Sequence, residues 1–316
     1  MRIGLLGASA IAPDAVIRPA SGRDDVTVST VAARDPDRAS AYAAEHGIPA
    51  VAADYAALVA RDDVDLVYCA LPPVAHRAAV KLALDAGKPV LLEKPYAMHA
   101  ADARAIVAMA DAAGLPVIEA FHYFFHPQFQ RALSLVADGA IGTVVNATAS
   151  FDAAIPDEPG QLRWDAAQGG GGMMDLGCYC VHALRSLLRV EPTIRSAGGV
   201  FRHGVDATLT AQLDFAGIPA TVHCSMLGGT DRVLRLEGNS GRLTLDLFIA
   251  PHRGGRLVLE TAAGTIVEPG DARSTYDAQL DHVIRVFRNE EAPRTGGADA
   301  IANMVVIDAC RAAAHT

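Results

Sequence analysis

Short apolar runs alternate with helical stretches through the first 120 or so residues, and this rhythm constrains the fold more than any other feature. Arg2-Ile3-Gly4-Leu5-Leu6-Gly7 reads as a strand, followed by a helix opening after Pro13. Val26 to Ala33 is a second strand, rich in β-branched residues. Asp65 to Ala70 and Pro89 to Leu92 follow, separated by a helix that runs through Ala86. A helix over about 100–113 leads to a fifth strand, Pro116 to Ala120. Strands that alternate with helices predict a doubly wound parallel sheet, because parallel neighbours need a crossover connection. Beyond about residue 125 the strands lengthen and alternate, as in Thr143 to Ala149 and Ala220 to Met226, and Glu237-Gly238-Asn239-Ser240-Gly241 is a hairpin signal. The expectation is therefore α/β: a doubly wound domain over 1–122, then an α+β domain over 123–316 with a large, mostly antiparallel sheet. A last helix, about 297–314, is free to pack back on the first domain.

The first strand runs into Gly7-Ala8-Ser9-Ala10-Ile11-Ala12. Gly7 suits a tight strand-to-helix turn, and Ser9 and Ala12 stand where a dinucleotide fingerprint has its second and third glycines. Small side chains there still let a pyrophosphate approach backbone N–H groups at a helix start, and Ser9 adds a hydroxyl. The same spacing also describes a plain strand-to-helix turn. Arg34 occupies the tip of the second strand, where an acidic residue would grip the ribose hydroxyls of NAD. An arginine there suits the 2′-phosphate of NADP. Asp35, one residue later, keeps NAD open.

Glu93-Lys94-Pro95 follows the buried run Pro89-Val90-Leu91-Leu92. Desolvation disfavours a lysine's charge unless a partner or a task justifies it, and here the amine lies at the carboxyl edge of a sheet, where open α/β folds bind ligands. The alternative is an ordinary pair of loop charges. In the second half, Gly169-Gly170-Gly171-Gly172 leads into Met173 to His182, helical by its periodicity. Asp175 and Tyr179, four apart, share one face of that helix, and His182 lies along it. The glycines read either as a flexible connector or as a place where backbone comes close to a ligand. A phenol with a free pKa near about 10 wants a cation nearby to move protons near neutrality, and Lys94 is the candidate.

Taken together, these segments resemble the glucose–fructose oxidoreductase/inositol dehydrogenase/rhizopine-catabolism group (Gfo/Idh/MocA), including its dihydrodiol dehydrogenase branch. The carriers are Gly7 to Ala12, Leu71-Pro72-Pro73-Val74-Ala75-His76, Glu93-Lys94-Pro95, Phe125-His126-Pro127 with Gly139-Ala140-Ile141-Gly142, and Gly170 to Tyr179, spread from end to end of the chain. The resemblance implies a Rossmann-type domain that binds a nicotinamide cofactor through Gly7, Ser9, Ala10, Ile11, Arg34, Leu71, Pro72, His76, Glu93 and Lys94. It implies Lys94 as the central catalytic residue, and a sugar, polyol or related cyclic alcohol held against the second domain's sheet. The residue four after Asp175 is a histidine in the inositol-type branch and is Tyr179 here. Phe124 stands where an arginine often precedes the Phe-His-Pro segment, and His122 and Tyr123 come before it, which suggests a more aromatic pocket. His122, Arg163 and Trp164 are candidate substrate contacts along with Asp175 and Tyr179. For His122 a structural role, and for the lone Trp164 a packing role, fit equally well.

The expected chemistry is hydride transfer between nicotinamide and a carbinol or carbonyl carbon. Tyr179 moves the hydroxyl proton, while cationic Lys94 lowers the phenol's pKa and stabilises the alkoxide. In a variant, Lys94 moves the proton itself. Asp175 orients the substrate or Lys94. Two other classes stay open: a non-catalytic NADP sensor, and a glycosidase or lyase that oxidises its sugar transiently with a retained cofactor. A net charge of -9 leaves no electrostatic footprint for nucleic acid. No apolar run approaches the ~18 residues of a membrane span, and the strand at Ile3 leaves no room for a signal peptide. The five cysteines lack metal-ligand spacing. These features predict a cytoplasmic enzyme with no metal, working with NADP or else NAD, as a homodimer or homotetramer.

Overall fold

A computed structural model describes residues 1–315. The chain forms two compact units, one of residues 1–121 with 276–301 and one of residues 122–275 with 302 onward. Among the described residues, no helix is long and apolar enough to cross a membrane.

The first unit is built on a six-stranded parallel sheet of β1 (Arg2–Leu6), β2 (Thr27–Ala32), β3 (Ala50–Val51), β4 (Leu66–Cys69), β5 (Val90–Leu92) and β6 (Val117–Glu119), in the order β3-β2-β1-β4-β5-β6. All five expected strands are present. The sixth, β3, has two residues, too few for a hydrophobic period to register. The central strands are buried almost throughout, as a sheet covered on both faces requires. Helices Pro36–His46, Pro73–Asp85 and Ala100–Ala113 make crossovers. Asp35 and His99 cap two of them at the start, and Gly47 and Gly114 end the same two in the left-handed conformation. Leu280, Val283 and Ile284 of the helix Thr275–Phe287 join Ile3, Leu5, Val31, Tyr68 and Leu91 in one core. The strand order reverses between β1 and β4, and the crevice beyond the carboxyl ends at such a point is where open α/β sheets take ligands.

The second unit carries an eight-stranded sheet: β7 (Val144–Asp152), β8 (Thr193–Arg202), β9 (Val205–Phe215), β10 (Ile218–Ser225), β11 (Arg232–Gly238), β12 (Gly241–Asp246), β13 (Arg256–Thr261) and β14 (Gly264–Pro269). Their order is β14-β13-β12-β11-β7-β10-β9-β8, antiparallel except for β7 beside β10. The expected hairpin joins β11 to β12 through Asn239 and Ser240. Register pairs Ala147 with Ala220 and Ala149 with Val222, all buried, while Thr148 and Thr221, the pair between them, are only half-buried. This period-2 split is what a sheet covered on one face requires. The helix Cys178–Leu188 packs on β7 and β10, and the alanines there leave it room. The five cysteines are buried and unbridged.

Candidate active site

In the first unit, Gly7 has φ of +104°, and a Cβ there would lie 3.0 Å from Leu71 Cδ2 and 3.3 Å from the Ala70 carbonyl oxygen. Its N–H donates to the Ala32 carbonyl at 2.9 Å, which fixes the turn against β2. A side chain would strain this turn, so its glycine is a physical requirement. Ser9 Oγ accepts from the Ala12 N–H at 3.3 Å, closing the loop on itself. Two contacts from the helix Pro36–His46 hold the loop from outside. Arg38 Nη2 donates to the Ala8 carbonyl at 2.8 Å, and the Tyr42 hydroxyl donates to the Ser9 carbonyl at 2.9 Å. A hollow of about 430 Å³ opens there, lined by Ala8, Ser9, Ala10, Pro13, Arg38 and Tyr42 among others. A glycine turn, small residues after it and a neighbouring cation fit a dinucleotide's phosphates.

At the tip of β2, Arg34 is exposed. Asp35 caps the next helix: its Oδ1 accepts from the Asp37 N–H at 3.0 Å and the Arg38 N–H at 3.2 Å. One oxygen of its carboxylate is thus engaged by backbone, while the Arg38 guanidinium reaches the Ala8 carbonyl. Arg38 stood in plain sight four residues after Arg34, yet only the fold gives it a role, because nothing local indicates that it reaches Ala8.

The segment after β5 is pinned from three sides. The Tyr68 hydroxyl donates to Glu93 Oε1 at 2.7 Å, and the Tyr96 N–H donates to Glu119 Oε1 at 2.8 Å. His76 is fully buried, with Nε2 2.8 Å from the Leu71 carbonyl and Nδ1 3.2 Å from that of Tyr96. Burial pushes its pKa down, so the ring is neutral and has one N–H for two carbonyls. His76 therefore ties the Leu71-Pro72 loop to the turn holding Lys94, which is itself half-buried; the Lys94–Pro95 peptide is cis.

In the second unit the four glycines are no slack connector. A Cβ on Gly170 would sit 2.5 Å from the Arg163 carbonyl oxygen, and one on Gly171, at φ +120°, would fall on Asp206 Oδ1. Asp206 Oδ2 in turn accepts from the Met173 N–H at 2.6 Å. Burial pushes this carboxyl's pKa up, against the opposing pull of that N–H. Asp206 enters from β9, some thirty residues on, with no signal in the local sequence.

Residues Met173–Gly177 form a π-helical turn before the α-helix Cys178–Leu188, a departure from the uniform helix that the periodicity suggests. Asp175, on this turn, forms an ion pair with Arg163 (Nε–Oδ2 2.8 Å), bringing two candidate residues together. Tyr179 is 5% exposed, and its hydroxyl lies 3.3 Å from His122 Nε2. His122 Nδ1 is 2.8 Å from the buried Thr275 Oγ1. Phe151 and Tyr123 pack against the Tyr179 ring, and the Tyr123 hydroxyl bonds His182 Nδ1 at 2.6 Å. Trp164 is buried, with its N–H donating to the Pro156 carbonyl at 3.0 Å and the Ile155 carbonyl at 3.3 Å. That is the geometry of a packing residue that clamps its own loop.

Comparisons with known proteins bear on both units. Residues 1–121 match the family described as "Oxidoreductase family, NAD-binding Rossmann fold", and residues 129–244 match "GFO/IDH/MocA C-terminal domain". The chain is 33% identical to D-xylose 1-dehydrogenase (NADP(+)) 2 of Haloferax volcanii, over 100% of this chain and 98% of that protein. It is 35% identical to trans-1,2-dihydrobenzene-1,2-diol dehydrogenase of Oryctolagus cuniculus, over 75% of this chain and 73% of that one. Among solved structures, a 3-ketoreductase from Actinomadura kijaniata in complex with NADP and TDP-benzene superposes with a TM-score of 0.91 at 27% identity, covering 99% of this chain and 97% of that one.

Proposed function

This chain belongs to the Gfo/Idh/MocA family of oxidoreductases, and from that premise we propose that it is an NADP(H)-preferring enzyme for sugars, polyols or cyclic diols. NAD(P)-dependent oxidation or reduction at a CH–OH or carbonyl carbon is the family chemistry it carries. The preference for NADP rests above all on the tip of β2: Asp35 caps the next helix, Arg34 stands exposed at the tip, and Arg38 follows in the first turn of that helix. A 2′-phosphate is drawn to arginines there, and the cap bonds hold one oxygen of the Asp35 carboxylate in place. The names of the relatives, a xylose dehydrogenase with NADP(+) and a dihydrodiol dehydrogenase, support the substrate class.

In this reading the first unit holds the cofactor, and the second unit binds substrate and makes a homo-oligomer. The cofactor, when bound, supplies or accepts a hydride. Gly7, Ser9, Ala10 and Ile11 take its pyrophosphate at the helix start, and Leu71, Pro72 and Glu93 line its path along the sheet edge. Lys94 stays cationic and stabilises the alkoxide that develops as the substrate hydroxyl loses its proton. Tyr179 takes or returns that proton. Asp175, held by Arg163, accepts a hydrogen bond from a second substrate hydroxyl and so fixes its orientation. The test is a screen of aldoses, polyols and cyclic diols with NADP+ and NAD+, followed at the absorbance of the reduced nicotinamide, alongside cofactor titrations of the wild type and Arg34→Ala. Equal affinity for the two cofactors, or unchanged NADP affinity in the variant, overturns the preference. Tight NADP binding without turnover of any alcohol returns the sensor reading.

A further inference from the structure

We propose that His122 is a positioning residue for Tyr179, its proton partner in a buried chain that runs Thr275–His122–Tyr179. The inference rests on the assignment of Tyr179 as the proton-moving group. Its ground is geometric: His122 Nε2 stands 3.3 Å from the Tyr179 hydroxyl, and Nδ1 stands 2.8 Å from Thr275 Oγ1. The three residues are 0–5% exposed, and they come from three separate places in the sequence. The ring edges of His122 and Tyr179 also meet at 67°, with centroids 5.7 Å apart, so the imidazole is held by packing as well as by its hydrogen bonds.

The chemistry follows from what each atom can do. A phenol with an ordinary pKa near about 10 is a poor base near neutrality, and burial disfavours its anion further. A neutral imidazole has one N–H and one acceptor nitrogen, and which is which depends on its partners. Thr275 accommodates both arrangements, since a hydroxyl donates or accepts with equal ease. With the ring proton on Nδ1, donated to Thr275 Oγ1, Nε2 accepts the Tyr179 O–H. When a substrate hydroxyl gives its proton to the Tyr179 oxygen, the phenol's own proton passes to His122 Nε2. One O–H bond forms and one breaks at Tyr179, the ring gains one proton, and Tyr179 is never a free phenolate. Return of the proton along the same path serves the reductive direction. The second imidazole nearby, His182, bonds the Tyr123 hydroxyl at 2.6 Å, while His122 Nε2 is the imidazole nitrogen that faces the Tyr179 hydroxyl.

The test combines a spectrum with kinetics. In protein labelled with ¹⁵N-histidine, the His122 resonances, assigned by their loss in His122→Gln, are expected to change tautomer balance in Tyr179→Phe; unchanged shifts overturn the proposal without any substrate. Kinetically, with D-xylose and NADP+ as the first pair, His122→Phe is expected to lower kcat by roughly 10²-fold, the low end of acid–base effects, with KM nearly unchanged. His122→Gln, which keeps a hydrogen-bonding group but has no basic nitrogen, is expected to stay slow; wild-type kcat in that variant overturns the proton role. Tyr179→Phe/His122→Phe is expected to be no slower than Tyr179→Phe alone, and fully additive losses overturn the coupling. If Tyr179→Phe itself turns over at the wild-type rate, the fault lies with the Tyr179 assignment. Should His122→Phe fail to fold, Thr275→Val leaves the imidazole in place and is expected to lower kcat, with Thr275→Ser restoring it; no change in Thr275→Val overturns the chain.

Discussion

Tyr179 and Lys94 are the residues on which the proposed chemistry stands or falls. Tyr179→Phe keeps a ring packed against Phe151 and Tyr123 and deletes one hydroxyl, so it reports on chemistry more than on stability. A fall in kcat of about 10²-fold or more is expected, the size of a lost general acid–base group. Lys94→Ala is expected to lose nearly all turnover while still binding NADP, because the glycine turn and the β2 tip lie elsewhere on the unit. Steady-state rates with a fluorescence titration of NADPH separate the two effects. The double variant is expected to be little worse than the slower single variant if both groups act on one substrate oxygen. Arg38→Ala carries its own prediction. It removes a cation and the bond to the Ala8 carbonyl together, so NADP affinity should fall more than in Arg34→Ala, and NAD affinity should fall as well. An unchanged NAD affinity would mean that Arg38 does not support the loop.

At the scale of elements, the glycine run and the π-helical turn work as one piece with Asp206. Gly171→Ala would put a methyl group on Asp206 Oδ1 and force a side chain into φ +120°. A loss of at least about 1–3 kcal/mol is expected, read by urea denaturation, together with a loss of turnover through displacement of Asp175. The Asp206 carboxyl also makes a pH prediction. Burial raises its pKa in the folded chain above the ordinary 3.8, so between the two values the folded state binds more protons than the unfolded one. Its contribution to stability is therefore complete below the unfolded value and is lost as pH rises through the folded value. Asp206→Asn keeps an oxygen for the Met173 N–H and removes the titration. Relative to wild type, its stability should improve from about pH 4 upward; parallel pH profiles for the two proteins would contradict this.

For the whole molecule, self-association through the second unit's sheet is the expectation to test. The edge strands β8 and β14 are largely exposed, and Val200, Ile266 and Val267 are each about half exposed on them. Homo-oligomer formation buries such apolar surface. Light scattering at micromolar concentration is expected to give a multiple of the 33.0 kDa chain mass, and a single chain mass would refute it.

What the sequence determined by itself is local in origin. Period and β-branching write out the buried parallel strands, proline and glycine mark where they stop, and Gly7, Glu93-Lys94-Pro95 and Gly170 to Tyr179 are legible because each motif is contiguous. β3 escaped notice because two residues carry no period. The tertiary structure decided everything that depends on residues meeting across distance. It gave the glycine run its tight path by bringing Asp206 from β9 against it. It paired Arg163 with Asp175, engaged the Trp164 N–H in its own loop, and put Thr275 beside His122. None of these follows from spacing, because hydrogen-bond reach is about 3 Å while the partners are set by how strands and helices pack. A sequence names groups able to do chemistry; only packing decides which of them touch.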